Sequence, residues 1–152
     1  MPGYGLLGPT EGRGLLPWAW AQEHLRSNTN YWLSTLSAAD RPHAMAVWGI
    51  WELESFFFST GTASRKARNL QRNPRCVVTT EGAAEAVIVE GSAELVPDRE
   101  LLGRVSGQYR TKYSMGYPPD SSVYRVRPEV VFGIIEDASE FAGAATRWTF
   151  ER

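Results

Sequence analysis

The chain holds one cysteine, Cys76, among its 152 residues. It cannot form an internal disulfide, which points to a reducing compartment and a core that holds without staples. No apolar run approaches the ~18 residues of a membrane span, and the start, "MPGYGLLGPTEGRG", lacks the charged-then-apolar order of a signal peptide. A soluble, cytoplasmic protein with no membrane partner is the expectation. There is no excess of either charge: 16 basic against 17 acidic side chains leave a net charge of −1. That argues against a nucleic-acid partner, so any anion site has to be a local cluster. Two histidines and one cysteine, widely separated, do not make a metal site.

Aromatic residues are plentiful, six of them tryptophan. At this length one domain is expected. Residues 1–14 hold five glycines and two prolines and read as a flexible N-terminal arm, leaving 15–152 as the folded domain. Pro17 followed by Trp18, Ala21 and Leu25 at helical spacing predicts a helix over 17–27. "YWLSTLS" (31–37), "PHAMAVWGIW" (42–51) and "SFFFST" (55–60) predict strands separated by the turns "AADR" and "WELE". The apolar 42–51 run should be buried on both faces or line a cavity. A helix follows from Ala63 to before Pro74, with Ala63, Ala67 and Leu70 as its apolar stripe. Strands over 75–82 and 84–97, a helix to about 111, one or two strands over 123–136 and a last strand in "TRWTFER" complete the pattern. Pro128 marks a bulge or an edge. The fold class is mainly β with inserted helices after the third and fifth strands. A split (Greek-key) antiparallel β-barrel of six or seven strands fits best.

The segment "STGTASRKARN" (59–69) changes period from strand to helix. Between Gly61 and Thr80 lie Arg65, Lys66, Arg68, Arg72 and Arg75, with no acid. Ser59, Thr60, Thr62 and Ser64 sit where backbone N–H groups and the helix dipole favour an anion. Gly61 permits close approach. Ser and Thr are also ordinary helix caps, but cations in a first turn oppose the dipole. Arg65 offers a two-pronged donor and Lys66 a point charge for phosphate. Arg68 and Arg72 should point away.

"SFFFSTGTASRKARNL" resembles the cofactor segment of the pyridoxamine 5′-phosphate oxidase-like split-barrel family. "RPHAMAVWGIW" before it, "NPRCVVTT" and "VIVEGSAELV" after it, "KY" near residue 112 and "TRWTF" are similar to the family's series in order, over residues 29–150. The last two resemble its actinobacterial branch. The resemblance implies FMN first, coenzyme F420 next and haem last as cofactor. It implies a homodimer with two cofactor sites at the interface, and hydride transfer on a small-molecule substrate. A non-catalytic binding or storage protein is the alternative. By position, Arg65 and Lys66 would hold phosphate, aided by Ser59, Thr60 and Ser64. Met45, Ala46, Val47 and Trp48 would line the ring. Thr79, Thr80, Arg147 and Trp148 of the second subunit would close the pocket. Ala46 stands where many relatives carry proline, and "TRWTFER" shows no pyridoxal-phosphate signature. His24 is expected at the surface, His43 as a structural or exposed histidine, Cys76 as a small buried residue, and Trp18, Trp20 and Trp32 in core or dimer packing. Lys112 and Tyr113 either reach a substrate anion or end a helix.

Overall fold

The computed structural model describes residues 15–96, 98–137, 139 and 141–151. The proposed N-terminal arm lies outside them. Helix α1 (Trp18–Ser27) leads into β1 (Tyr31–Leu36), β2 (Pro42–Val47), β3 (Gly49–Glu52) and β4 (Ser55–Gly61). Helix α2 (Arg65–Arg72) precedes β5 (Arg75–Thr80) and β6 (Glu85–Leu95). Helix α3 (Arg99–Tyr113), β7 (Ser121–Ile135), the short α4 (Phe141–Ala144) and β8 (Thr146–Thr149) follow. The strands form one antiparallel sheet in the order β2-β1-β5-β6-β7-β4-β3, with β8 on β7. This is the expected split barrel with inserted helices.

The strand expected over 42–51 is two strands. β2 and β3 stand at opposite ends of the sheet order, yet only Trp48 separates them. The sheet therefore curls until its two edges meet at residue 48. The inserted helices accordingly follow β4 and β6. Burial divides the same way. Gly49, Ile50 and Trp51 are buried, whereas Ala44, Met45 and Ala46 on β2 are exposed. The expectation of burial on both faces holds for β3, an edge strand that α1 and α3 cover, and fails for β2, whose Ala46 and Val47 meet the expectation's other branch by lining a cavity.

"SFFF" is an unbroken buried run because β4 is covered on both sides. Phe56 and Phe58 face the main core with Tyr31, Leu33, Val78, Val89 and Val126. Phe57 faces a second cluster built on Val105 and Tyr109 of α3. All three rings are 0% exposed, each contributing about 1.5–3 kcal/mol of transfer free energy. β3 turns into β4 through Leu53 and Glu54, both at positive φ (48° and 51°), the backbone of a tight two-residue hairpin. Pro128 does mark a bulge. The β6–β7 register shifts between Glu90 and Gly91, and Gly91 pairs with Pro128. Cys76 is buried, and burial pushes its thiol up to about 12.

Two local expectations are corrected. Ala63 is exposed and precedes α2, and the buried positions are Ala67, Asn69 and Leu70. Asn69 can be buried because its amide donates to the Thr35 hydroxyl (2.9 Å). His24 is half-buried, not a surface residue. Its Nδ1 lies 2.9 Å from the Trp20 carbonyl and its Nε2 2.7 Å from Glu85, tying α1 to β6.

Candidate functional site

The seam where the sheet edges meet leaves a cavity of about 310 Å³, lined by Asn30, Ala46, Val47, Trp48, Ser59, Lys66 and Tyr109. Five of these are residues the sequence nominated, drawn from the β2–β3 junction, the end of β4 and the first turn of α2. Asn30 and Tyr109 were not anticipated.

Trp48 is the fixed wall. Its indole stacks on the Tyr113 ring (4.7 Å between centroids, 3° between planes). Its N–H donates to Asn30 Oδ1 at 3.1 Å. The neighbouring Gly49 peptide is held by α3. Gly49 N–H donates to Tyr113 Oη at 3.0 Å, and Gly49 O accepts from Lys112 Nζ at 3.0 Å. Lys112 also donates to Tyr31 Oη at 2.7 Å. Burial draws its ammonium down to about 8 and pushes the Tyr113 phenol up to about 12, although its bond to Gly49 opposes the rise. Tyr109 packs against Tyr113 (4.7 Å) and Tyr117 (4.1 Å), completing an aromatic backing.

The α2 end supplies charge. Ser64 caps the helix by accepting from Ala67 N–H at 3.1 Å, and it pairs with Thr60 Oγ1 at 2.8 Å. Those two hydroxyls serve each other and the cap, and Thr60 is only 6% exposed. Ser59 and Lys66 are the ones presented to the cavity. Arg65 is exposed beside them. Arg68 turns back to the Ala63 carbonyl (2.7 Å), and Arg72 is exposed. His43 on β2 has an inaccessible Nδ1 with no partner among the described residues. Desolvation lowers its pKa, and the positive charges of Arg65 and then Lys66 lower it further. His43 therefore lies within the field of the two cations expected to hold phosphate.

Other nominated residues lie elsewhere. Met45 is 46% exposed and does not line the cavity. Thr79 pairs with Trp32 and Ile88, on the sheet face away from the core. Thr80 is buried and accepts from Val87 N–H (3.0 Å). Trp148 packs on Trp18 (5.3 Å) beside the core cluster, while Arg147 is exposed.

The donor set fits a flat, phosphate-bearing cofactor. It joins an indole wall and strand backbone at one end to a half-buried lysine, an exposed arginine and the Ser59 hydroxyl, which has no partner among the described residues, at the other. It fits haem less well, since the lining contains a tyrosine but no histidine, cysteine or methionine.

No curated protein matches the chain. Among solved structures it is similar to a conserved hypothetical protein of Mycobacterium tuberculosis (23% identity, TM-score 0.69, covering 80% of this chain and 87% of that one). It is similar to an F420 reductase (24%, TM-score 0.60, covering 72% and 94%). It is also similar to HutZ, the haem storage protein of Vibrio cholerae (21%, TM-score 0.63, covering 77% and 92%). The family model for pyridoxamine 5′-phosphate oxidase matches residues 19–135. The chain belongs to the pyridoxamine 5′-phosphate oxidase family of split barrels.

Proposed function

We propose that the protein binds a flavin-type cofactor at the seam, FMN ahead of coenzyme F420, and acts as an oxidoreductase on a small molecule. The supporting observation is the cavity itself. Ala46, Val47 and Trp48 meet Ser59 and Lys66 there, across the junction of both sheet edges. Lys66 and Arg65 hold the phosphate, with Ser59 donating. Thr60 and Ser64 act through the helix cap, keeping the α2 N–H groups in place. Trp48, fixed by Tyr113 and Asn30, sets the plane of the ring and excludes water from one side. The cofactor supplies hydride chemistry. The chain binds and orients it.

The working unit in this reading is a homodimer. Ala46, Trp32, Thr79, Ile88 and Phe132 stand in register across β2, β1, β5, β6 and β7. They lie on the sheet face opposite the core, and Trp32 is 48% exposed. A second subunit seated on this row would bring Thr79 and Arg147 near the partner's seam. HutZ-like binding without turnover is the second reading, and a lining that offers Tyr109 but no histidine, cysteine or methionine counts against its haem form.

The test is absorbance and equilibrium binding with FMN, coenzyme F420 and haem. FMN or F420 should bind at micromolar concentration, and Arg65→Ala with Lys66→Ala should weaken it while sparing riboflavin. Equal loss for riboflavin removes the phosphate assignment. Binding of none of the three removes the proposed function.

A further inference from the structure

A second cavity, of about 230 Å³, has Lys112 in its lining. It is lined by Arg26, Ile50, Trp51, Glu52, Gln108, Thr111 and Lys112, and shares no lining residue with the first. Its charges do not cancel. The one acid, Glu52, is taken by Arg104, whose Nε donates to it at 3.0 Å. Arg26 has no ion-pair or hydrogen-bond partner among the described residues, and no carboxylate pairs with Lys112 there. Lys112 spends two N–H groups on Tyr31 Oη and Gly49 O. An ammonium has three, so one remains.

The polar and apolar parts are separate. The apolar part of the lining is Ile50 and Trp51 of β3, both nearly fully buried and on opposite faces of the strand. Gln108 offers an amide donor beside the cations. The Thr111 hydroxyl donates to Gly107 O (3.1 Å), so it can only accept. A half-buried cation with no carboxylate paired to it is costly, and a bound anion in the same low-dielectric site offsets that cost.

We propose that this cavity is a binding site for a small organic carboxylate, its anion held between Lys112 and Arg26 and its apolar body against Ile50 and Trp51. The site is separate from the cofactor cavity and does not depend on which cofactor that cavity takes. The groups facing Lys112 are Tyr31 of β1, Tyr113 of α3, Arg26 of α1 and the Glu52–Arg104 pair. None of them is an unpaired acid, so a bound carboxylate is the group that holds its proton.

The experiment is calorimetric titration of the full chain with benzoate as the probe and inorganic phosphate as the comparator. Wild type should bind one benzoate, more tightly than phosphate, with affinity falling as pH rises past about 8, where Lys112 loses its proton. Lys112→Met and Arg26→Gln should each weaken benzoate at least about tenfold, while Arg65→Ala with Lys66→Ala leaves it unchanged. Circular dichroism checks each fold; if Lys112→Met does not fold, Arg26→Gln carries the test. No benzoate binding at about 10 mM, or equal binding by a folded Arg26→Gln, overturns the proposal. So does loss of benzoate binding in the Arg65, Lys66 variant, which places the anion in the first cavity.

Discussion

Gly49 is where the seam can be tested most sharply. A Cβ built there would stand 2.1 Å from Phe56 Cζ, 2.6 Å from Phe56 Cε2 and 2.7 Å from the Phe57 carbonyl oxygen. The Phe56 ring cannot retreat. It is 0% exposed and packs on Tyr31 at 4.7 Å and Phe58 at 6.3 Å. Gly49→Ala must therefore push β3 off β4, moving the Gly49 carbonyl away from Lys112. Overpacking of this kind costs about 1–3 kcal/mol, and the strained bond from a charged donor adds to it. A total near 3 kcal/mol is expected, which is about 6–12 °C in Tm for a chain of this length. Urea unfolding followed by circular dichroism measures it. Gly61→Ala is the control, because a Cβ there meets nothing within 4 Å. It should be neutral or up to about 1 kcal/mol stabilising. A Gly49→Ala loss below about 0.5 kcal/mol, inside the range of ordinary surface changes, would refute the wedge argument.

Ser64→Ala removes the cap of α2 and leaves the buried Thr60 hydroxyl without its partner. It should cost about 1 kcal/mol in urea unfolding, and no measurable loss would mean that another group caps the helix. His43 should couple cofactor phosphate to pH. Its pKa is lowered by desolvation and then by Arg65 and Lys66. A bound phosphate offsets those cations and raises it again, so binding takes up a proton and affinity rises as pH falls towards the histidine's lowered pKa. The slope should be shallower in His43→Ala, and identical pH profiles would exclude the coupling. Trp32→Glu places a charge in the outward row with Ala46, Thr79, Ile88 and Phe132. Light scattering should show a dimer in wild type and a monomer in the variant; a dimeric variant would place the interface elsewhere.

The strands were legible because period-2 patterning and turn residues are local. The start of α2 was legible for the same reason: Ser64, Arg65 and Lys66 are adjacent in sequence, and their roles follow from helix-end chemistry. Errors arose where a distant partner decides. Ala63 fits a helical stripe on spacing, but Ser64 already caps the helix, so Ala63 falls before it. Asn69 reads as a polar surface position until Thr35, 34 residues away, satisfies its amide. Thr80 and Trp148 were nominated for the pocket on their position in the chain, whereas strand parity turns both towards the core. Asn30 and Tyr109 had no motif to reveal them. Each enters the cavity only because the sheet curls far enough to bring β1's start and α3 to the same seam.

That curl also explains why α3 matters to the site. Where one sheet edge ends and the other begins, the backbone cannot find all its partners within the sheet, and a buried unpaired peptide group is costly. The Gly49 N–H and carbonyl turn instead to Tyr113 and Lys112. Lys112 carries a desolvation penalty there, visible in an ammonium drawn down to about 8. An apolar side chain at 112 would avoid that penalty but would take a donor from the Gly49 carbonyl. The same two residues fix the Trp48 wall of one cavity and place a cation in the other. The seam thus leaves a strand junction that only side chains can complete, and the side chains that complete it form the walls of both cavities.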